Sequence, residues 1–323
     1  MATRTVQVFS QIPNLTRILA KKCSELNFKE IPAPEGFNQD VAVTKLQEAG
    51  ILICDPVIVP YLSQLSNLKW LQLTWAGIDS VIASFKDKAP PPYLITRFGG
   101  VFGQAMAEYV IGEIIARERI SRKLWKRQEE HNWSNDVKYR NLSKLTLGIL
   151  GFGDIGKEVA KYCKALGMTI WAMGRTPRTE LPPNVDNFRT QSGLKEVLES
   201  SDYICNILPS TPTTKNLLSG DVLEVCKCRQ SVFINVGRGD VISEEGLLRA
   251  LKNGWIAGAV LDVFEVEPLP KSSELWDMPG VTITPHCAAI SFAEEVAEVF
   301  AKNYKLFEQG KPLNYLVDVS RGY

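Results

Sequence analysis

The chain has 323 residues, of which 45% are hydrophobic and 23% charged, as is typical of a globular protein with room for two cores. The formal net charge of +1 gives no reason to expect nucleic acid or an anionic membrane as a partner. No apolar run approaches the roughly 18 residues of a membrane-spanning helix. The seven cysteines are scattered and lack a CxxC pair, which favours reduced thiols, a cytoplasmic location and no metal site.

The first hundred residues alternate short apolar runs with polar stretches, which predicts a small parallel α/β domain. Its strand candidates are Val6–Phe9, Ile51–Cys54, Trp70–Leu73 and Leu94–Thr96. Helical stretches are expected at 45–49 and 61–65, and loops at 32–36 and 89–92.

A long helical pattern begins at Gln104 and continues into a charged end at 117–131, and we interpret it as the crossing between two domains. Beyond it, strands alternate with helices, which indicates a doubly wound parallel sheet. The strand candidates are 145–150, 169–173, 203–208, 232–236, 257–263 and 281–284. The helix candidates are 194–199, 221–226 and one that Ser243 caps and Gly254 ends.

The tail carries an amphipathic helix that ends at Gly310. Because this helix has no sheet of its own to cover, we expect it to pack on the first domain. The sequence therefore predicts an α/β protein with two parallel-sheet domains. One domain, 104–290, is inserted into a split second domain, 1–103 and 291–323.

The strongest local motif is the glycine turn GFGDIG at 151–156, which follows a buried strand and opens a helix. This is the context that a dinucleotide fingerprint requires. Its glycines permit the turn, the approach of a pyrophosphate and the packing of helix on strand, and the helix N-terminus attracts the phosphates. The predicted cofactor-binding residues of the turn are Gly151, Gly153, Asp154, Ile155 and Gly156.

The far end of the next strand bears on which dinucleotide is bound. An NAD site usually carries an acidic residue there to bind the ribose 2′-hydroxyl. This chain has Gly174, followed by Arg175, Thr176 and Arg178. Two guanidiniums and a hydroxyl would bind a 2′-phosphate, which a carboxylate would repel. The sequence thus predicts NADP (NADPH) rather than NAD, the alternative being a merely basic surface turn.

Polar groups also follow three later strands, and the carboxyl ends of parallel strands meet at one edge of a sheet. These groups are Arg238, a carboxylate of the Glu265–Glu267 run, and His286. They suit reduction of a 2-oxo acid, because arginine binds a carboxylate bidentately and imidazolium donates a proton to the developing alkoxide. Taken singly, each could instead be an ordinary loop residue or a structural one.

Five stretches together resemble the D-isomer-specific 2-hydroxyacid dehydrogenases. They are GFGDIG, NVGRGDV at 235–241, LDVFEVEPL at 261–269, LWDMP at 275–279 and TPH at 284–286. The resemblance places the family's catalytic residues on Arg238, Glu267 and His286, and selects the glutamate before proline over Glu265. It implies a Rossmann-like cofactor domain inserted into a flavodoxin-like substrate domain, with the site in the cleft.

The resemblance implies further binding residues. Asp262 matches the residue that binds the nicotinamide carboxamide, with the Val236 carbonyl nearby, and we add Pro209, in the loop after strand 203–208. The backbone N–H groups of Ala76 and Gly77 would bind the substrate carboxylate.

Trp75 stands where the family usually has a small polar residue, and could be a core aromatic or a wall of the substrate pocket, together with Phe98 and Phe102. The family also implies a homodimer through the cofactor domain, with 104–130 as the contact.

The function expected from these features is NADPH-dependent reduction of a small 2-oxo acid, such as glyoxylate or hydroxypyruvate, to the D-2-hydroxy acid. His286 would donate the proton, and no nucleic-acid or membrane partner is expected. Two alternatives remain. One is an NAD-dependent branch of the family, and the other is a dinucleotide-sensing binding protein like the corepressors that share this fold.

Overall fold

The computed structural model describes residues 4–31, 46–86 and 88–319. The described residues fall into two compact units, one within Met1–Val101 and Ile290–Tyr323, the other within Phe102–Ala289. In the described part of the chain, no helix is both long and apolar enough to span a bilayer. The loop expected at 32–36 and the start of the helical stretch at 45 lie outside the described residues.

The first unit contains, among its described residues, a sheet of five parallel strands in the order β2-β1-β3-β4-β5. This is the flavodoxin-like order. The strands are β1 (Thr5–Phe9), β2 (Asn27–Glu30), β3 (Ile51–Cys54), β4 (Trp70–Leu73) and β5 (Leu94–Thr96). Strand β2 was not predicted, because it is a polar edge strand, NFKE, with mostly exposed side chains and no apolar run.

Two helices of the first unit are α1 (Leu15–Lys22) and α2 (Asp79–Ser84). The predicted helical stretch at 61–65 overlaps a 3-10 helix, Pro56–Gln64. Pro60 lies inside this helix and removes a backbone donor that an α-helix would need there, which is consistent with the tighter geometry.

The second unit contains seven parallel strands within the described range, in the order β12-β11-β10-β9-β6-β7-β8. They are β6 (Thr146–Leu150), β7 (Thr169–Met173), β8 (Asn187–Arg189), β9 (Tyr203–Asn206), β10 (Val232–Asn235), β11 (Gly258–Leu261) and β12 (Val281–Ile283). This is the Rossmann order with one more strand. The predicted fold class, two parallel-sheet α/β domains, is confirmed.

Apolar clusters cover both faces of this sheet. Leu147 and Ile149 of β6 belong to one cluster, whereas Leu150 belongs to the other. Burial on both faces explains why these strands read as unbroken apolar runs.

The helices of the second unit are α3 (Gly103–Glu118), α4 (Ser121–Glu129), α5 (Asp154–Ala165), α6 (Leu194–Ser200) and α7 (Glu244–Lys252). The cap predicted for α7 is confirmed, since the Gly246 N–H donates to Ser243 Oγ over 3.1 Å. The prediction that one helix continues from Gln104 through the charged end is wrong, because α3 ends at Glu118 and α4 begins at Ser121. The helical conformation is interrupted at Ile120, whose φ is 49°. Nearby, Glu118 accepts hydrogen bonds from Arg140.

The last helix, α8 (Ala293–Glu308), lies in the first unit and packs on β4. Its Phe300 ring stacks on Trp70 with centroids 5.1 Å apart, and Phe307 stacks on the same indole at 5.3 Å. The amphipathic tail thus buries its apolar face against the first sheet.

Candidate active site

The glycine turn joins β6 to α5 in the form that the fingerprint requires. Gly151 has a φ of 108°, which only glycine adopts without strain, and its N–H donates to the Met173 carbonyl over 3.0 Å. A Cβ at Gly156 would lie 2.2 Å from the Gly151 carbonyl oxygen, so helix and turn touch backbone to backbone. A Cβ at Gly153 would meet nothing within 4 Å, which leaves open space at the first turn of α5.

This turn fits a pyrophosphate. Asp154 and Ile155 begin α5, whose first N–H groups have no partner within the helix. Open space, free donors and the positive end of the helix dipole together form an anion-binding site.

The segment after β7 is exposed and basic. The Gly174 N–H donates to the Arg189 carbonyl over 3.0 Å, which ties the end of β7 to edge strand β8. Arg175, Thr176 and Arg178 follow with exposed side chains. The Arg178 guanidinium lies 5.4 Å from the centre of the Phe188 ring.

The two glutamates of the EVE sequence make different contacts. Glu267 Oε2 lies 2.8 Å from His286 Nδ1, and its other oxygen accepts the Phe264 N–H over 2.9 Å. Glu265 instead accepts the Glu244 N–H at the start of α7, over 3.2 Å. The structure therefore brings Glu267, and not Glu265, to the imidazole.

The backbone of His286 is held by Asp262, at the end of the neighbouring strand β11. Its φ is 52°, and its N–H donates to the Asp262 carbonyl over 2.8 Å. A left-handed conformation at a non-glycine residue is unfavourable and is maintained here by the surrounding contacts.

The Asp262 carboxylate fixes the loop that carries His286 by accepting hydrogen bonds from residues on both sides of it. Its side chain is buried and accepts from Thr284 Oγ1 (2.6 Å), the Cys287 N–H (2.8 Å) and the Ala288 N–H (3.0 Å). Thr284 Oγ1 also lies 2.6 Å from the Tyr109 hydroxyl, on α3. Burial raises the pKa of Tyr109, so its hydroxyl stays protonated near neutral pH.

Sequence reasoning missed this supporting network. Thr284 stands in a recognised motif, but Tyr109 lies 175 positions earlier and shows only helical periodicity. The resemblance gave Asp262 a role toward the cofactor. The structure adds that its carboxylate accepts hydrogen bonds from Thr284, Cys287 and Ala288.

Arg238 follows β10 and lies half-buried between two glycines. Its Nη1 donates to the Gly237 carbonyl over 2.7 Å. A Cβ at Gly239 would lie 1.9 Å from the Phe264 carbonyl carbon, so only glycine permits the two loops to touch there. The arginine loop thus packs directly against the loop that carries Glu267.

Two other predicted cofactor-binding residues lie along the same edge of the sheet. Val236 is buried, and its N–H donates to the Asn206 carbonyl over 3.2 Å. The Pro209 carbonyl accepts from Thr214 Oγ1 over 2.6 Å, which fixes the loop after β9.

In the first unit, Ala76 and Gly77 lie half-buried in the bend between β4 and α2. Trp75 is 54% exposed, which excludes a core aromatic. Phe98 has no exposed surface, so its expected place in a pocket wall is wrong.

Residues 111–288 match the sequence profile of the D-isomer specific 2-hydroxyacid dehydrogenase, NAD binding domain. The match spans more than half of the chain and includes the glycine turn, Arg238, Glu267 and His286. It confirms that the chain carries a nicotinamide-dinucleotide-binding domain.

Known proteins resemble the chain over most of its length. Glyoxylate/hydroxypyruvate reductase A of Photorhabdus laumondii subsp. laumondii is 30% identical over 271 residues, 82% of this chain and 85% of that protein. A D-isomer specific 2-hydroxyacid dehydrogenase from Xanthobacter autotrophicus Py2, solved with NADPH and MES, is 30% identical over 100% of both chains, with a TM-score of 0.85. The NADPH-dependent glyoxylate/hydroxypyruvate reductase of Sinorhizobium meliloti, solved with NADP and sulfate, has a TM-score of 0.83 and 27% identity, covering 99% of this chain and 100% of that one.

A family profile over half of the chain, and relatives that align along nearly all of it, agree with the site built above. The chain belongs to the D-isomer-specific 2-hydroxyacid dehydrogenase family and is an oxidoreductase.

Proposed function

We propose that this protein reduces a small 2-oxo acid, of the glyoxylate or hydroxypyruvate type, to the D-2-hydroxy acid with NADPH. The observation that carries the proposal is the 2.8 Å contact of His286 Nδ1 with Glu267, in loops that follow strands of the sheet bearing the glycine turn. Relatives named glyoxylate/hydroxypyruvate reductase support the substrate class.

The residues have distinct roles in this reaction. Bound NADPH would supply a hydride to the carbonyl carbon of the 2-oxo acid. Arg238 would bind the substrate carboxylate and polarise the carbonyl, with the N–H groups of Ala76 and Gly77 as further donors. His286 Nε2 would give its proton to the carbonyl oxygen, while Glu267 at Nδ1 would fix the plane of the ring.

The preference for NADPH rests on the end of β7. Gly174 supplies no carboxylate for a ribose 2′-hydroxyl, and Arg175, Thr176 and Arg178 supply two cations and a hydroxyl for a 2′-phosphate. The neighbours solved with NADPH and with NADP support this assignment.

The test is an NADPH-oxidation assay against a panel of 2-oxo acids. Arg238→Ala and His286→Ala should each lower turnover by roughly a hundredfold or more, the usual size of acid–base and positioning contributions. The matched control His131→Ala, whose side chain is exposed, should leave turnover unchanged.

Full turnover in both active-site variants would contradict the assigned roles. Two further results would favour the alternatives. Preferential use of NADH would point to an NAD-dependent branch, and tight NAD(H) binding with negligible turnover on every acid would point to a dinucleotide-sensing protein.

We also propose a homodimer that forms through the cofactor domain, with 104–130 as the contact. Helix α4 buries none of its residues in the described chain, and Trp125 on it is 62% exposed. Exposed aromatic side chains of this kind are enriched at protein interfaces. We place the protein in the cytoplasm, which keeps thiols reduced, because all seven cysteines are free.

A further inference from the structure

Gly174 is the position where an NAD site would carry its acidic residue. Its backbone does not adopt a positive φ, so its conformation accepts any residue. A Cβ there would nevertheless lie 2.6 Å from Cζ and 3.1 Å from Cε2 of Phe188. The ring of Phe188, and not the backbone, is what keeps a side chain out of position 174.

The Phe188 ring is held on two sides. It packs edge-on to the ring of Phe152, with centroids 5.9 Å apart and an interplanar angle of 76°. Phe152 is the second residue of the glycine turn and is itself buried. The Arg178 guanidinium lies over the Phe188 ring at 5.4 Å. A ring displaced from position 174 would therefore disturb the glycine turn or Arg178.

We propose that Phe188 is a specificity-determining residue of the cofactor site. Its ring fills the space that an acidic side chain at 174 would need, and the same ring supports Arg178, one of the two cations for the 2′-phosphate. Selectivity for NADPH would then have two sources. The ring keeps an acidic side chain, which would repel the 2′-phosphate, out of position 174, and it supports Arg178, which attracts that phosphate. This inference rests on the proposed preference for NADPH.

The first test measures kcat/KM with NADPH and with NADH for Gly174→Asp, Phe188→Ala and the double variant. In Gly174→Asp alone, kcat/KM with NADPH should fall at least about tenfold and kcat/KM with NADH should not rise, because the ring of Phe188 leaves no room for the carboxylate. With NADH, kcat/KM of the double variant should be at least about tenfold higher than that of Gly174→Asp. In Phe188→Ala alone, kcat/KM with NADPH should fall about threefold, because Arg178 loses the support of the ring. This variant should still prefer NADPH to NADH.

The second test needs no cofactor. Gly174→Ala should lower the Tm when Phe188 is present and leave it unchanged in a Phe188→Ala background. The matched control is Gly50→Ala, where a Cβ would meet nothing within 4 Å, and its Tm should not fall.

The results separate the two proposals. Equal use of NADPH and NADH by the unsubstituted protein would contradict the cofactor preference. Additive effects of the substitutions at 174 and 188 on the Tm, or a Gly174→Asp variant that uses NADH as well as the double variant does, would overturn the role of Phe188.

Discussion

His286 and Glu267 form a hydrogen-bonded pair whose side chains are 52% and 35% exposed. Exposed ion pairs add little to stability, typically about 0–1 kcal/mol. We therefore propose that the pair serves to fix the orientation of the imidazole.

The two glutamates allow a matched test of that role. Glu267→Gln should lower kcat/KM for reduction by at least about tenfold, because an amide can present its NH₂ group as well as its oxygen to Nδ1 and so no longer fixes the orientation of the imidazole. Glu265→Gln should change kcat/KM by less than about threefold, since Glu265 accepts the Glu244 N–H, which an amide oxygen also accepts. Steady-state kinetics for both variants, with Tm as a folding check, decide the matter. Equal losses in the two variants would contradict the assignment.

At the scale of single residues, the sequence indicated those side chains whose position after a buried strand is itself a signal. Arg238, His286 and one carboxylate of the Glu265–Glu267 run belong to this group, and the family resemblance then selected Glu267. Tyr109 does not, because a hydroxyl on one face of a helix reveals nothing about a partner such as Thr284, 175 residues further along.

Among the elements, helix α3 ends at an ionic cluster in which the carboxylates of Glu118 and Asp202 are buried and the Arg140 side chain is partly exposed. The Glu118 carboxylate accepts hydrogen bonds from Arg140 and from the Tyr203 hydroxyl, the latter over 2.8 Å, and Arg140 also pairs with Asp202 at 3.1 Å. Burial acts to raise the pKa of Glu118, but the hydrogen bonds from Arg140 and Tyr203 outweigh it, and the pKa is lowered. The cluster ties the end of α3 to β9.

This lowered pKa predicts a pH dependence of stability. The contribution of Glu118 is fully present above its unfolded-state pKa of about 4.3 and is lost as the pH falls through the lower folded-state value. Glu118→Gln should therefore lower the Tm at pH 7, and the deficit relative to the unsubstituted protein should narrow below about pH 4. Thermal unfolding between pH 7 and pH 3 measures this, with the exposed Glu224→Gln as control. A deficit that stays constant with pH would contradict it.

The elements that the sequence missed share a physical cause. Edge strands β2 and β8 are short and largely polar, and they owe their form to backbone pairing with β1 and β7. The break at Ile120 lies beside Glu118, whose hydrogen-bond partners Arg140 and Tyr203 stand far along the chain. Apolar periodicity reports burial along one segment and does not reveal such contacts.

For the molecule as a whole, the alternation of strands and helices was enough to predict two parallel-sheet domains. The strand orders were not predicted from that alternation, because order depends on which crossovers reverse direction. The family resemblance supplied them as flavodoxin-like and Rossmann-like, and the observed orders agree.

Assembly is open to a direct test. Trp125→Glu should convert the proposed homodimer to a monomer, because a charge would be buried at the contact without a partner. Light scattering after size-exclusion chromatography gives the mass. The control Val57→Glu introduces the same charge at an exposed apolar side chain of the first unit and should leave the dimer intact. A monomeric unsubstituted protein, or a dimeric Trp125→Glu variant, would contradict the proposed contact.

We propose above that this oxidoreductase reduces a small 2-oxo acid with NADPH. The most direct measurement is kcat/KM with NADPH and with NADH on glyoxylate and hydroxypyruvate. We predict measurable reduction and a preference for NADPH of at least about tenfold, equivalent to roughly 1.4 kcal/mol. Equal use of the two cofactors, or no reduction of either acid, would contradict the account.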